Sequence, residues 1–304
     1  MWVLLPVAGI SNLLPLLVGV GALVGFMSGL FGISGGFLLT PILMMIGIPP
    51  TVAAASDSCQ IVAGCSSATA AHFRLGNVDV KLGMVLLFGG LTGGWIGVRV
   101  IKLLRALGAA DFAITITYVV ILGLIGGYMF TESLRSLRRG AVVPKWRRAT
   151  QGQRLLSRLP FQMDFPRSQV RHSVLVPFFL CGVVGLLAAI MGVGGGFIMV
   201  PMMVYLLRMP MHVAVGTDLF QILFTCAGVT YMQATTNHTV DLVLALLLAA
   251  GSTLGAQAGA RVGQRLRGDQ LKILLASVVL LVMLKMASGL LLTPQIHVTP
   301  VRGH

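Results

Sequence analysis

Hydrophobic residues dominate the chain in ten runs that short polar segments separate. The first five runs lie at about 13–31, 36–48, 51–72, 80–102 and 112–130, and the second five lie at about 174–191, 196–208, 212–235, 241–263 and 270–292. A helix needs roughly 20 apolar residues to cross a bilayer, and the second run of each set is shorter. The pattern therefore predicts an all-α polytopic membrane protein with two sets of about five helical segments.

The two sets carry one repeated sequence pattern. Residues 31–37 (FGISGGF) return as residues 191–197 (MGVGGGF), and a proline follows each copy at the same distance. Further positions match between the halves: Gly25 with Gly185, Asp57 with Asp218, Gln60 with Gln221, Cys65 with Cys226, and Asp79 with Asp241. Glycine clusters that interrupt apolar runs at matching places predict helices broken inside the bilayer.

Other glycines recur at every fourth position. They are Gly89, Gly93 and Gly97 in the first half, and Gly251, Gly255, Gly259 and Gly263 in the second. This spacing predicts that two helix backbones approach each other closely.

Composition agrees with a membrane location. The chain has 304 residues, of which 56% are hydrophobic and 10% are charged, whereas soluble domains carry about 25% charged residues. The six histidines are scattered, the four cysteines lie in apolar runs, and no nucleophile lies beside a base. We therefore expect no metal or other cofactor, and a membrane enzyme or thiol- or metal-handling assembly factor is disfavoured.

The net charge of +14 does not indicate nucleic-acid binding, because ten of the 22 basic residues fall between Arg135 and Arg171. Such a segment is typical of a cytoplasmic loop near anionic lipid. Five crossings in each half would invert the second repeat and put most basic residues on one side, whereas four crossings would divide them more evenly. The positive-inside rule favours inversion. The predicted regions are a transmembrane repeat at 1–130, a basic cytoplasmic loop at 131–173 and a second transmembrane repeat at 174–304.

The glycine segments are the first candidate binding residues. Glycine lets the backbone expose N–H groups, and the helix after each break aims the positive end of its dipole at the break. We expect anion binding there, although a flexible corner without a ligand is the alternative. The candidates are Gly32, Ser34, Gly35 and Gly36, and Gly192, Gly194, Gly195 and Gly196.

Polar residues follow each glycine segment. Asp57 and Gln60 share one helix face, as do Asp218 and Gln221, which Thr217 precedes. A carboxylate at membrane depth usually faces a polar cavity or a partner, so these residues either line a site or brace the glycine loops. Cys65 and Cys226 either contact a sulfur anion or pack as small apolar residues.

The doubled glycine motif and the segments around Asp57 and Asp218 resemble those of the TauE/SafE family, the sulfite exporters. The resemblance covers nearly the whole chain except the basic loop. It implies a multi-pass protein of the bacterial inner membrane that exports small sulfur-containing anions such as sulfite, sulfoacetate or related organosulfonates. It maps the family's binding residues onto the glycines named above, Ser34, Asp57, Gln60, Asp218 and Gln221. The resulting hypothesis is alternating access at a site where the two broken helices meet, with Thr217 adding a hydrogen bond. An anion channel and a proton-coupled importer are the alternatives, and the oligomeric state stays open.

Overall fold

The computed structural model describes residues 2–7, 10–31, 36–139, 162–165, 167–168, 170–207, 209–263 and 268–292. All ten apolar runs are helices, which confirms the predicted helical architecture. The first half contains α1 (Leu14–Phe31), α2 (Gly36–Met45), α3 (Pro50–Arg74), α4 (Val80–Ala106) and α5 (Ala110–Arg139). The second half contains α6 (Leu175–Met191), α7 (Gly196–Tyr205), α8 (Met211–Met232), α9 (Leu242–Gly263) and α10 (Gly268–Leu292).

Helices of both halves are long enough to span a bilayer. Among the described residues, four helical segments are long and apolar enough to cross a membrane: Val80–Ala106, Ala110–Gly127, Met211–Asn237 and Leu242–Gly259. The third of these includes a π-helical turn, Gln233–Asn237, that extends α8. Helices α2 and α7 have only 10 residues each, which is about 15 Å of helix. They are too short to cross a membrane alone, as their apolar runs predicted.

Each half also begins with a short β-hairpin that the hydrophobic pattern did not predict. Strands β1 (Trp2–Leu5) and β2 (Ile10–Leu13) pair antiparallel before α1, and β3 (Gln162–Phe165) and β4 (Val170–Ser173) pair antiparallel before α6. The second hairpin lies within the segment predicted as a basic loop, and α5 continues into the beginning of that segment. The internal repeat therefore includes the chain before each first helix.

The first helix of each half packs against the fourth helix of the other half through glycine. In α1, Gly21, Gly25 and Gly29 face Leu248, Ser252 and Ala256 of α9. In α4, Gly89, Gly93 and Gly97 face Phe178, Gly182 and Leu186 of α6. The facing residues advance together along both partners, so each pair of helices is parallel. This close approach confirms the prediction made from the glycine spacing.

Helices α3 and α8 occupy the centre and run antiparallel to each other. Thr69 near the end of α3 donates a hydrogen bond to the carbonyl of Leu219 near the start of α8, at 3.0 Å. At the other end, the hydroxyl of Ser56 accepts a hydrogen bond at 2.9 Å from the N–H of Asp241, which follows α8. The middle parts of the two helices share a buried cluster of Ile61, Cys65, Ile222 and Cys226.

Each central helix is parallel to the fourth helix of the other half. Along α4, Gly83, Gly90 and Gly94 successively face Phe220, Thr225 and Val229 of α8. Along α3, Ser56 and Gln60 successively contact Asp241 and Ser252 at the start of α9 and within it. Helices α1, α3 and α9 therefore run parallel to one another, and so do α4, α6 and α8.

Asp79 joins three parts of the chain. Its Oδ1 accepts a hydrogen bond from the N–H of Leu82 and so caps α4. Its Oδ2 accepts hydrogen bonds from the N–H and the hydroxyl of Ser168, in the turn between β3 and β4. Its own N–H donates to the hydroxyl of Thr217 in α8 at 3.0 Å. Asp79 therefore ties the second hairpin and α8 to the start of α4.

Asp241 makes the matching contacts in the second half. Its Oδ1 accepts from the N–H of Leu244, and its Oδ2 accepts from the N–H of Val7 in the turn between β1 and β2. Because its N–H also donates to Ser56, the pattern around Asp79 is repeated across the molecule.

We expect Asp79→Ala to lower the free energy of unfolding by about 2 kcal/mol, because it removes a helix cap and leaves buried donors of Ser168 without an acceptor. Thermal unfolding of purified protein in detergent measures the effect. Asp111→Ala is the matched control, since Asp111 also lies at a helix start but accepts only an exposed bond from Thr51 at 3.2 Å. Equal losses in the two variants would contradict the role of Asp79 as a three-way brace.

Candidate functional site

The N-terminal ends of the two short helices meet inside the protein. Phe37 is the second residue of α2 and Phe197 is the second residue of α7. Their rings stack with centroids 4.5 Å apart and planes inclined by only 6°, and both side chains are buried. The positive ends of two helix dipoles therefore point into one region between the halves.

The second glycine segment has a backbone that requires glycine. Gly192, Gly194 and Gly195 have φ angles of +77°, +75° and +84°, in the left-handed region that side chains disfavour. A Cβ on Gly192 would also lie 2.1 Å from the carbonyl oxygen of Ala54 in α3. The segment turns against the central helix of the other half and leads directly into α7 at the buried Gly196.

Gly194 lies between the two central helices. A Cβ there would be 3.1 Å from Sγ of Cys226, 3.2 Å from Cδ1 of Ile61 and 3.3 Å from Cγ2 of Ile222. Cys65 packs in the same cluster with its repeat partner Cys226, and both are free thiols. The cysteines thus lie against the second glycine segment, where the sequence had left packing and ligand contact as alternatives. Among the described residues, no group of three or more His, Cys, Asp and Glu side chains could hold a metal ion.

Asp57, a residue of α3, packs against the first turn of α2. A Cβ on Gly36 would be 3.1 Å and 3.3 Å from the two carboxylate oxygens of Asp57. The hydroxyl of Thr40, one turn into α2, donates to Oδ2 of Asp57 at 2.8 Å, while Oδ1 is buried with no hydrogen-bond partner. Asp57 therefore braces the short helix, and one of its oxygens remains available.

Asp218 and Gln221 are the matching residues on α8, and both are buried. Oδ1 of Asp218 and Oε1 of Gln221 have no hydrogen-bond partner. The amide nitrogen of Gln221 donates to the hydroxyl of Thr225 on the same helix at 2.9 Å. This part of the site thus holds two unpaired acceptors three residues apart on one helix.

Gln60 is placed differently from its repeat partner. Its amide nitrogen donates to the hydroxyl of Ser252 in α9 at 2.5 Å. The position that matches Ser252 in the first half is Gly90, and Gln221 lies against that glycine. Because Gly90 offers no hydroxyl, the two halves differ here: Gln60 is tied to another helix, and Gln221 is not.

Of the other predicted site residues, Thr217 accepts the hydrogen bond from Asp79 described above, which makes it part of a brace. Gly32, Ser34 and Gly35 lie outside the described residues. Gly36 and Asp57 lie close to the second glycine segment, because Ile61 adjoins both Gly36 and Gly194. Asp218 and Gln221 lie on α8, the central helix that adjoins Gly194 through Ile222 and Cys226.

Sequence reasoning missed three residues that support the site. Tyr118 of α5 is buried and donates to the carbonyl of Met191, the last residue before the second glycine segment. Thr40 and Ser252 hold Asp57 and Gln60 as described above. Their repeat counterparts are Leu280, Val200 and Gly90, so a search for matching polar positions could not find them.

Comparisons with known proteins agree with this architecture. The sequence profile of the family described as sulfite exporter TauE/SafE matches residues 17–286. The chain is 26% identical over 276 residues to the probable membrane transporter protein YunE of Bacillus subtilis, covering 88% of this chain and 94% of that protein. It is 26% identical over 285 residues to a probable membrane transporter protein of Methanocaldococcus jannaschii, covering 88% and 92%.

A plant protein matches a shorter region. The sulfite exporter TauE/SafE family protein 3 of Arabidopsis thaliana is 28% identical over 97 residues, which is 32% of this chain and 20% of that protein. No solved structure matches the chain. Because the family profile covers most of the sequence and the relatives of similar length are membrane transporters by name, the chain is a multi-pass membrane protein that belongs to the TauE/SafE sulfite exporter family.

Proposed function

We propose that this protein exports small sulfur-containing anions, such as sulfite, sulfoacetate or related organosulfonates, across a bacterial inner membrane by alternating access. The observation that carries the proposal is the meeting of the two short helices at Phe37 and Phe197. Two positive helix ends that point into one buried region favour an anion between them. The family name supplies the sulfur chemistry.

The proposed repeats are inverted. Helix α1 is parallel to α9, and α9 is parallel to α3, whereas α6 is parallel to α4, and α4 is parallel to α8. Because α3 and α8 are antiparallel, α1 and its repeat counterpart α6 point in opposite directions. This supports repeats that enter the membrane from opposite sides, a common arrangement in transporters. The positive-inside rule then assigns the basic segment at 131–173 to the cytoplasm.

In this mechanism the glycine segments supply backbone N–H donors to the anion, and the predicted contacts include Ser34 and Gln221. The stacked rings of Phe37 and Phe197 separate the access path on one side of the membrane from the access path on the other side. A change of access moves the two helix ends past each other while the braces at Asp79 and Asp241 hold the outer contacts. A transporter, rather than an enzyme, is proposed because each of these elements positions an anion and none supplies a nucleophile.

We expect purified protein to bind one or more members of a panel of sulfite, thiosulfate, sulfate, taurine and sulfoacetate. Gln221→Ala should weaken binding about tenfold, because one N–H of its amide nitrogen is bonded to Thr225, the other can donate to the anion, and one hydrogen bond to a charged ligand is worth about that factor. Gln60→Ala is the matched control from the other half, and it should weaken binding by only about threefold or less, because Ser252 ties its amide to another helix, whereas the Thr225 partner of Gln221 lies on the same helix. Isothermal titration calorimetry measures both affinities.

No binding of any anion in the panel would overturn the proposed function, and equal losses in the two glutamine variants would remove Gln221 from the site. Reconstituted vesicles separate a transporter from an anion channel. We expect a flux that saturates with anion concentration, whereas a channel would carry a sustained single-channel current.

A further inference from the structure

The two buried aspartates of the site share an unusual feature. Asp57 is fully buried and Asp218 is 2% exposed, yet Oδ1 of each has no hydrogen-bond partner. Buried polar atoms in proteins are nearly always hydrogen-bonded. An unpaired carboxylate oxygen at equivalent positions in both halves therefore indicates that something binds to these oxygens during the working cycle.

The groups that face the two carboxylates are neutral or acidic. Asp57 is close to the phenol of Tyr118 from α5 and the thiol of Cys226 from α8. Asp218 is close to thiols from α3, α6 and its own helix, namely Cys65, Cys181 and Cys226. In the described part of the chain, no lysine, arginine or histidine is among the groups that act on either aspartate.

The next charged groups are also acidic. Asp241, which directly precedes α9, contacts Ser56, the neighbour of Asp57, and Asp79, which directly precedes α4, contacts Thr217, the neighbour of Asp218. Both of these outer carboxylates already accept hydrogen bonds on both oxygens. Two ionised carboxylates would repel an anion at the two helix ends strongly in a medium of low dielectric constant, so a closed site that holds the anion requires both groups to be neutral.

The surroundings suit a proton better than a metal ion. A metal ion in a protein requires several oxygen ligands at once, whereas the described hydrogen-bond partner of the Asp57 carboxyl group is a single hydroxyl, that of Thr40. The methyl group of Ile61 fills the space beside Gly36, at 2.6 Å from the position of a Cβ there. A proton needs only the unpaired oxygen itself.

We propose that Asp57 and Asp218 are proton-binding sites that couple anion binding to proton uptake. Each carboxylate is ionised while the empty site is open to water, takes one proton from that side when the anion enters and the site closes, and so becomes a neutral carboxyl group. It returns the proton when the site opens again and the anion leaves. Anion and proton therefore move in the same direction. The inference rests on the proposed function, because it places the anion at the ends of the short helices beside these carboxylates.

Because binding linkage is reciprocal, proton uptake must appear as a pH dependence of anion affinity. For each proton taken up, the dissociation constant of the anion should increase by up to about tenfold when the pH is raised by one unit. One doubly charged anion that moves together with two protons carries no net charge across the membrane.

The test is calorimetric titration of the full-length protein with sulfate and with sulfoacetate, since both stay ionised between pH 6 and pH 8. The same titration in imidazole and in Tris, which differ in heat of ionisation and do not compete as anions, counts the protons taken up per anion. We expect about two protons for the unchanged protein and about one for Asp57→Asn or Asp218→Asn, because asparagine keeps the shape but cannot bind the proton. Asp111→Asn is the control and should leave the proton count unchanged.

Binding of an anion with heats that do not depend on the buffer would overturn the coupling while leaving the proposed function intact. Absence of any binding would overturn the proposed function instead. Replacement of sodium by choline distinguishes the ions, and an affinity that needs sodium but ignores pH would also overturn the inference. If the asparagine variants do not fold, the proton count and pH slope of the unchanged protein still decide.

Discussion

Gly192→Ala will eliminate anion binding and destabilise the fold by about 4 kcal/mol. A left-handed φ of +77° costs an alanine about 1 kcal/mol. The larger part comes from the new Cβ, which would lie 2.1 Å from the carbonyl oxygen and 2.5 Å from the Cα of Ala54. Both are backbone atoms, so no side-chain rotation can relieve the overlap, and overpacking of this kind costs about 3 kcal/mol. Either the second glycine segment or α3 must move, and both carry the candidate site.

Gly108→Ala separates the two causes. Gly108 has a similar φ of +68°, and a Cβ there would meet nothing within 4 Å. We expect this variant to lose only about 1 kcal/mol and to bind anions as the unchanged protein does. Thermal unfolding in detergent and calorimetric titration provide the two measurements. Similar losses of stability in both variants would show that backbone strain, and not the contact with Ala54, explains why position 192 is glycine.

Gly25→Ala and Gly185→Ala will each destabilise the helix pairs that join the two halves. A Cβ on Gly25 would lie 2.2 Å from the carbonyl oxygen of Ser252, and one on Gly185 would lie 2.4 Å from that of Gly90. The backbones of α1 and α9, or of α6 and α4, would have to separate, at a cost of about 3 kcal/mol for each variant. In thermal unfolding this corresponds to a fall of the midpoint temperature by roughly 5 °C for a protein of this size.

Helices α1 and α6 each contain a second glycine that serves as a control. A Cβ on Gly19 of α1 would meet nothing within 4 Å, and one on Gly182 of α6 would make an ordinary contact at 3.6 Å. Both alanine variants should match or exceed the stability of the unchanged protein, because alanine is the better helix former. A loss in the controls as large as that in Gly25→Ala would mean that these helices need glycine for some reason other than close approach.

The helices and the breaks between them could be predicted because their signals are local. The short run before residue 48 and its counterpart before residue 208 became the 10-residue helices α2 and α7. The glycines of α4 pack as their spacing predicted. By contrast, the end of α5 could not be predicted. The apolar run ends at residue 130, but the helix continues for nine more residues to Arg139, because a helix can extend into polar sequence that hydropathy does not mark.

The two hairpins could not be predicted from the sequence pattern. Each strand has only four residues, too few to show a clear alternation of polar and apolar positions. The turn of each hairpin is held by a carboxylate that is distant in the sequence. Asp241 accepts a hydrogen bond from Val7, 234 residues away, and Asp79 accepts one from Ser168, 89 residues away. Contacts at such separations leave no mark on the local sequence.

The candidate site was only partly predictable for a related reason. Matching the two halves finds residues that occur twice, such as Asp57 with Asp218 and Gln60 with Gln221. The structure, however, gives each pair unequal partners, because Ser252 of one half corresponds to Gly90 of the other. A repeat therefore predicts which positions are polar, and it does not predict which of them remain unpaired.

The sequence by itself determined that this is a helical membrane protein with two matching halves and a short helix after each glycine cluster, because hydropathy and glycine clusters act within a few residues. Only the tertiary structure decided that the two short helices meet at Phe37 and Phe197, that Asp79 and Asp241 brace opposite halves, and that Asp57 and Asp218 each keep an unpaired oxygen. These features depend on groups more than a hundred residues apart that come together only when α3 and α8 pass each other at the centre. The hydrogen-bond partners of buried groups are set by which residues are close in space, including residues that are distant in sequence, so the local sequence does not predict them.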